Sequence, residues 1–324
     1  MRTIAIEEHY TTRAVIQANA EAARGDVLRL RPRVQAMSDK LLDLGEDRIR
    51  AMDAGEVDLQ VLSLNSPGLQ LLDAATAVPL ARETNDLLAE AVARHPDRLA
   101  GFAALPTADP DASARELERC VRDLGFKGAM VNGMPMHRFM DDEFFLPILE
   151  AAEGLDVPLY LHPAQPPPAI MDCYFSGMEP AVGASLATSA WGWHVETGLH
   201  ALRLIVSGVF DRLPRLRVVI GHMGEAIPFM LARAGVPLTP DVTGLRKPLA
   251  DYVRENLWVT TSGFFTFPPL LNALLVLGAD RIIFSVDYPF ASNDAGRSFL
   301  DSMQLSDADR EKIAHGNAER LLKL

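Results

Sequence analysis

Cysteine is scarce in this chain: Cys120 and Cys173 are the only two among 324 residues, and they form no CxxC pair. This excludes a disulfide framework and a thiolate zinc cluster, fits a reducing compartment, and leaves both cysteines as expected buried fillers. Positive charge is short as well. Lys and Arg total 31 against 43 Asp and Glu, giving a net charge of -12 and a pI near 5.1. Such a field opposes nucleic acid and anionic membrane. No apolar run is long enough to span a bilayer, and charge interrupts the opening Met-Arg-Thr-Ile-Ala-Ile-Glu-Glu-His where a signal peptide needs an apolar stretch. The expectation is a cytoplasmic protein with no nucleic-acid and no membrane partner. The glycine-rich GxGxxG turn of a dinucleotide-binding sheet is also missing after the first apolar run.

What the chain has is core-forming material, 48% hydrophobic and 23% charged. Eight short runs rich in Val, Ile, Leu and Phe read as strands: Thr3 to Ile6, Leu59 to Leu64, Leu99 to Ala104, Gly128 to Val131, Pro158 to Leu161, Arg217 to Ile220, Leu257 to Thr260 and Arg281 to Ser285. Between them lie segments with helical spacing, such as Ala77 to His95, Ala112 to Leu124 and Phe144 to Glu153. Eight βα alternations predict an α/β chain folded as a (β/α)8 TIM barrel, which takes about 250 residues and more when loops are extended. A single domain over residues 1–324 is expected, with extended loops after strand 1 (residues 10–55) and strand 5 (residues 163–200). The first loop is expected to carry helix at Thr12 to Ala23 and Lys40 to Ala54.

Four of the runs end on residues that bind divalent metals. Ile4-Ala5-Ile6 leads to Glu7-Glu8-His9, Leu159-Tyr160-Leu161 to His162, Val218-Val219-Ile220 to Gly221-His222, and Ile282-Ile283-Phe284 to Ser285-Val286-Asp287. A parallel barrel gathers its strand ends at one mouth, so these residues are expected to meet there. Glu7 and His9 are two apart and share one side of an extended strand, whereas Glu8 points to the other. Glu7, His9, His162 and Asp287 therefore form the candidate metal set, with oxygen and imidazole donors suited to one divalent cation. His222 is either a further ligand or a general acid/base oriented by Glu225; the second role is preferred.

Ala5-Ile6-Glu7-Glu8-His9, Leu161-His162-Pro163, His200-Ala201-Leu202-Arg203-Leu204, Ile220-Gly221-His222-Met223-Gly224-Glu225, Phe284-Ser285-Val286-Asp287-Tyr288-Pro289-Phe290 and Gly316-Asn317-Ala318-Glu319-Arg320-Leu321 together resemble the amidohydrolase-related metal-dependent decarboxylases, in particular the γ-resorcylate and 2,3-dihydroxybenzoate group. The resemblance implies a TIM barrel with one divalent ion, Mn, Zn or Mg, on Glu7, His9, His162 and Asp287. It also implies His222 and Glu225 in the active site, Arg233 as a substrate-binding residue, an aromatic carboxylic acid as substrate, and a homo-oligomer, either dimer or tetramer. The chain departs from the resorcylate enzymes at Ala234-Gly235-Val236-Pro237-Leu238 and at Ala291, which bears on the substrate rather than the metal.

The activity expected from this set is non-oxidative decarboxylation of a hydroxylated aromatic acid such as a dihydroxybenzoate, with Asp287 as proton donor. An ordinary Asp has a pKa of about 3.9, so donation near neutrality needs a shifted value or a proton delivered by bound substrate through His222. Phe290, Trp191, Trp193, Phe264 and Phe265 are candidates for packing the ring. The alternatives are a metal-dependent hydrolase of a cyclic amide, ester or lactone, a hydratase of an unsaturated acid, or a barrel that keeps its metal for structure alone.

Overall fold

The computed structural model describes residues 1–22 and 37–324. Its strands are β1 (Ile4–Tyr10), β2 (Leu59–Leu64), β3 (Leu99–Gly101), β4 (Ala103–Ala104), β5 (Ala129–Asn132), β6 (Leu159–His162), β7 (Val218–Ile220), β8 (Leu257–Thr260) and β9 (Ile282–Ile283). All pairings are parallel, in the order β1-β2-β3 and β4-β5-β6-β7-β8-β9. β3 and β4 correspond to one expected strand, broken at Phe102. Its N–H still donates to Leu62 O at 2.9 Å, while Ala103 N–H donates to Gly128 O at 2.8 Å, so the chain leaves one neighbour for the next at that point.

The ring closes between the first strand and the segment after the last. Asp287 N–H donates to Glu7 O at 3.1 Å and His9 N–H to Tyr288 O at 2.7 Å. The result is the (β/α)8 TIM barrel. The last strand is shorter than the expected Arg281 to Ser285, because Thr261 takes over the next bonds: its hydroxyl receives Ser285 N–H at 2.9 Å and donates to Ser285 O at 2.7 Å.

Alternation along the strands sorts their side chains into two layers. Met130, Tyr160, Val219, Trp258 and Ile283 join an inner cluster with Ile4 and Ile6, closed below by Ala318, Leu321 and Leu322 of the final helix. Their strand neighbours Val131, Leu161, Ile220, Val259 and Ile282 face the surrounding helices. Two residues further on, the inner positions become polar: Asn132, His162 and Thr260.

β1 carries one residue more than β2 between Ala5 and Glu8, where Ala5 pairs with Gln60 and Glu8 with Leu62. This bulge resets the alternation, so Glu7 and His9 join Ile4 and Ile6 on the inner side. Glu8 is left outside, fully buried, with Oε1 accepting Val286 N–H at 2.8 Å and Oε2 accepting Tyr288 N–H at 2.9 Å. Burial pushes its carboxyl up to about 8, against the pull of those two bonds.

The long connections are largely helical. The first carries helices Arg13–Ala22, Ser38–Leu42 and Glu46–Ala54; Ala23, the last residue of the expected first helix, lies outside the described residues. The second carries Pro168–Tyr174, Pro180–Ala187 and the start of Gly192–Val206. Cys120 is buried as expected, whereas Cys173 is exposed, because helix Pro168–Tyr174 buries none of its residues. No helix among the described residues is long and apolar enough to cross a membrane.

Arg48, on helix Glu46–Ala54, is fully buried and pins the first loop to the barrel. It donates to His9 O at 2.7 Å, Asp43 O at 2.9 Å, Lys40 O at 3.2 Å and Gln60 Oε1 at 3.2 Å, and its guanidinium lies 5.1 Å from the Tyr288 ring centre. Burial pulls its pKa down, opposed by Tyr288, Glu8 and Asp43. Removing a buried charge and leaving its partners unpaired costs about 3–5 kcal/mol. Arg48→Met is therefore expected to lower the unfolding free energy in urea by at least about 2 kcal/mol, the extra apolar packing offsetting part of that loss. A change within about 0.5 kcal/mol, the range of ordinary surface substitutions, contradicts this role.

Candidate metal centre and active site

Four side chains meet at the mouth. One nitrogen or oxygen from each of Glu7, His9, His162 and Asp287 lies within 4.8 Å of the others. His9 Nε2 is 3.1 Å from Asp287 Oδ1, and His162 Nε2 is 3.4 Å from Glu7 Oε1. The His9 and His162 rings meet edge to face with centres 4.7 Å apart.

Glu7 uses its two oxygens differently. Oε2 accepts hydrogen bonds from Tyr160 Oη, Thr260 Oγ1 at 2.9 Å and Ser262 Oγ. Oε1 is buried with no hydrogen-bond partner, as is His9 Nε2. Burial, then the charge of Glu7, holds the Tyr160 phenol well above its ordinary range, so it remains a neutral donor. His9 is oriented from behind, with Nδ1 3.3 Å from Ser63 Oγ.

Leaving a carboxylate oxygen and an imidazole nitrogen buried without a hydrogen bond is costly. A divalent cation held by Glu7, His9, His162 and Asp287 satisfies both, and two imidazoles with two carboxylates suit Mn, Zn or Mg. A ligating imidazole must be neutral. Burial, followed by the neighbouring His9, lowers the His162 pKa well below its ordinary value. The residues fit the ion.

A second group stands beside the first. His222 and Glu225 both adopt left-handed backbone, φ +51° each, in the turn after β7. His222 Nδ1 lies 2.6 Å from Glu225 Oε1, and its Nε2 points toward Glu7 Oε1 at 3.7 Å. Burial favours a neutral His222, but the carboxylates of Glu225 and Glu7 outweigh it and push the imidazole up to about 10. Gly221 permits the approach: a Cβ there would sit 2.8 Å from Glu7 Oε2.

The ring-packing candidates separate. Phe290 lies against His9, centres 5.9 Å apart, and Phe264 against His222 at 5.7 Å. Phe265 packs on Phe299, and Trp191 is 59% exposed. Trp193 reaches it indirectly, donating from Nε1 to His194 Nε2 at 3.1 Å. Arg233 is exposed on helix Ile227–Gly235, and no hydrogen bond or ion pair among the described residues joins it to Glu7, His9, His162 or Asp287.

Sequence reasoning passed over His194, whose Nδ1 is 2.7 Å from Glu225 Oε2, so that one buried carboxylate serves two imidazoles. It also passed over Tyr160, Thr260, Ser262 and Ser63. Strand periodicity held the clue for Tyr160, two residues before His162 and hence on the same face.

Loss of a residue that orients a metal ligand typically lowers metal affinity about 10–100-fold. Tyr160→Phe is expected to raise the manganese dissociation constant by about tenfold, measured by equilibrium titration of stripped protein. An unchanged constant contradicts the orienting role of the phenol.

The comparisons with known proteins agree with this geometry. The Amidohydrolase family pattern matches residues 16–324. The γ-resorcylate decarboxylase of a Polaromonas species is 41% identical, with 99% of this chain and 98% of that protein aligned. The crystal structure of a dihydroxybenzoic acid decarboxylase from Polaromonas, with bound manganese and the inhibitor 2-nitroresorcinol, superposes with a TM-score of 0.88 at 40% identity, covering 100% of this chain and 97% of that one. The 5-carboxyvanillate decarboxylase of Sphingomonas paucimobilis superposes with a TM-score of 0.92 at 35% identity, covering 100% and 99%. The chain thus belongs to the amidohydrolase family, among its metal-dependent decarboxylases.

Proposed function

We propose that this chain removes the carboxyl group of a hydroxylated benzoate without oxidation, using the site built on Glu7, His9, His162 and Asp287. One observation carries the reading: Glu7 Oε1 and His9 Nε2 are buried without a hydrogen bond, converging with His162 and Asp287, in a chain similar over nearly its whole length to γ-resorcylate decarboxylases. When bound, the divalent ion supplies positive charge that holds and neutralises the substrate's carboxylate and neighbouring hydroxyl oxygen.

The chain's own residues supply the rest. Asp287, its side chain 18% exposed at the mouth, donates a proton to the ring carbon that bears the carboxylate. The carbon–carbon bond then breaks, its electron pair restores the aromatic ring, and carbon dioxide leaves. Each turnover consumes one proton, which Asp287 regains from solvent or the next substrate. His222, held by Glu225, directs Nε2 into the site as a hydrogen-bond donor to the substrate. Phe290 beside His9 and Phe264 beside His222 offer faces for the ring; the substrate-binding role of Arg233, exposed on helix Ile227–Gly235, rests on the family resemblance alone.

We also place the protein in the cytoplasm as a homo-oligomer, a dimer or tetramer. Large apolar side chains such as Phe229 (76% exposed), Val236 (66%), Val242 (69%) and Leu275 (86%) support association with a second copy. Light scattering after gel filtration is expected to give twice or four times the 35.4 kDa chain mass; a monomer at micromolar concentration contradicts it.

Metal-replete protein is expected to release carbon dioxide and a phenol from at least one member of a panel of ortho-hydroxybenzoates. Loss of a general acid typically costs a factor of about 10²–10⁴, so Asp287→Asn is expected to lower kcat at least about 100-fold. Full activity in that variant removes Asp287 from its role. Silence across the panel with turnover of a lactone points to hydrolysis instead.

A further inference from the structure

Glu8 is the one member of the Glu7-Glu8-His9 triplet that the proposed reaction leaves unused. Its carboxyl group is fully buried on the outer side of β1, facing the segment that carries Asp287. That segment has no sheet ladder of its own, because β9 ends at Ile283. Three consecutive N–H groups instead turn toward β1: Val286 donates to Glu8 Oε1 at 2.8 Å, Asp287 to Glu7 O at 3.1 Å, and Tyr288 to Glu8 Oε2 at 2.9 Å. Asp287, in the middle, has φ +73°, a left-handed conformation that a non-glycine residue keeps only when its surroundings hold it.

We propose that Glu8 is a positioning residue: by gripping the N–H groups on both sides of Asp287, its carboxyl group fixes the Asp287 side chain 3.1 Å from His9 Nε2. The inference rests on the role given to Asp287 above. A carboxyl group suits this task because each of its two oxygens keeps a lone pair for one N–H, with or without a proton on the group. An apolar residue of similar volume would serve barrel stability at lower desolvation cost, yet would leave both N–H groups unpaired. Glutamine keeps the shape but has one acceptor oxygen, and its NH2 would oppose one of the donors.

The test compares Glu8→Gln, Asp287→Asn and the double variant, each as the full chain, by manganese titration, steady-state kinetics and crystallography of the metal-loaded protein. In Glu8→Gln the Asp287 carboxylate is expected to move away from His9, the manganese dissociation constant to rise about tenfold, and kcat to fall far more than KM changes. In the Asp287→Asn background Glu8→Gln is expected to add nothing to the loss of metal affinity, because it acts through the group already altered. An unmoved Asp287 in the Glu8→Gln crystal structure, or losses of affinity that multiply in the double variant, overturns the proposal. Should Glu8→Gln fail to fold, Glu8→Asp keeps both oxygens and withdraws them by one methylene; an unmoved Asp287 there overturns it equally. If Asp287→Asn alone leaves metal affinity and turnover intact, the role of Asp287 fails, and the crystallographic displacement still decides the claim for Glu8.

Discussion

Side chains alternate along a strand, and an unbroken alternation from Ile4 and Ile6 would send Glu7 and His9 away from the barrel axis. The extra residue between Ala5 and Glu8 reverses the phase at the point where the inner layer changes from apolar to polar. Ile4 and Ile6 stay in the inner cluster, Glu7 and His9 enter the mouth above them, and Glu8 turns to the seam. The placement of Glu7 and His9 at the mouth and the closure of the ring thus come from the same three residues.

Around that constraint the polar groups follow a consistent logic. Three hydroxyls occupy Glu7 Oε2, which leaves Oε1 as the oxygen aimed into the site. Ser63 holds His9 from behind, and burial holds His162 neutral. His222 is the exception, since Glu225 and Glu7 favour its cation despite burial. A neutral imidazole suited to coordination therefore sits near a charged one suited to donating a hydrogen bond, with ring centres 6.1 Å apart. The difference lies in the carboxylates each one meets.

Much of this was legible in the sequence, and the limits have physical causes. The eight apolar runs and the meeting of Glu7, His9, His162 and Asp287 could be read because barrel strands end at a common mouth, which brings strand-end residues together. The outward direction of Glu8 relative to Glu7 and His9 followed from two-residue periodicity. The bulge did not, because an inserted residue leaves no compositional mark in Ile-Ala-Ile-Glu-Glu-His. His194 lies within a helix of the fifth connection, where nothing in Trp-Gly-Trp-His announces that Glu225, 31 residues later, will share its carboxylate. The exposure of Cys173 and Trp191 escaped for the same reason: packing of helices in a long connection is a tertiary property. Phe265 was misplaced because adjacent phenylalanines diverge, Phe264 toward His222 and Phe265 toward Phe299.

The proposed chemistry depends on Glu7, His9, His162 and Asp287 sharing one ion. Anomalous diffraction from crystals of manganese-loaded protein, collected on both sides of the metal's absorption edge, tests this most directly. A single manganese peak per chain is expected, contacting an oxygen of Glu7, a nitrogen of His9, a nitrogen of His162 and an oxygen of Asp287. A peak on the His194, His222 and Glu225 group instead, or none at all, would contradict it.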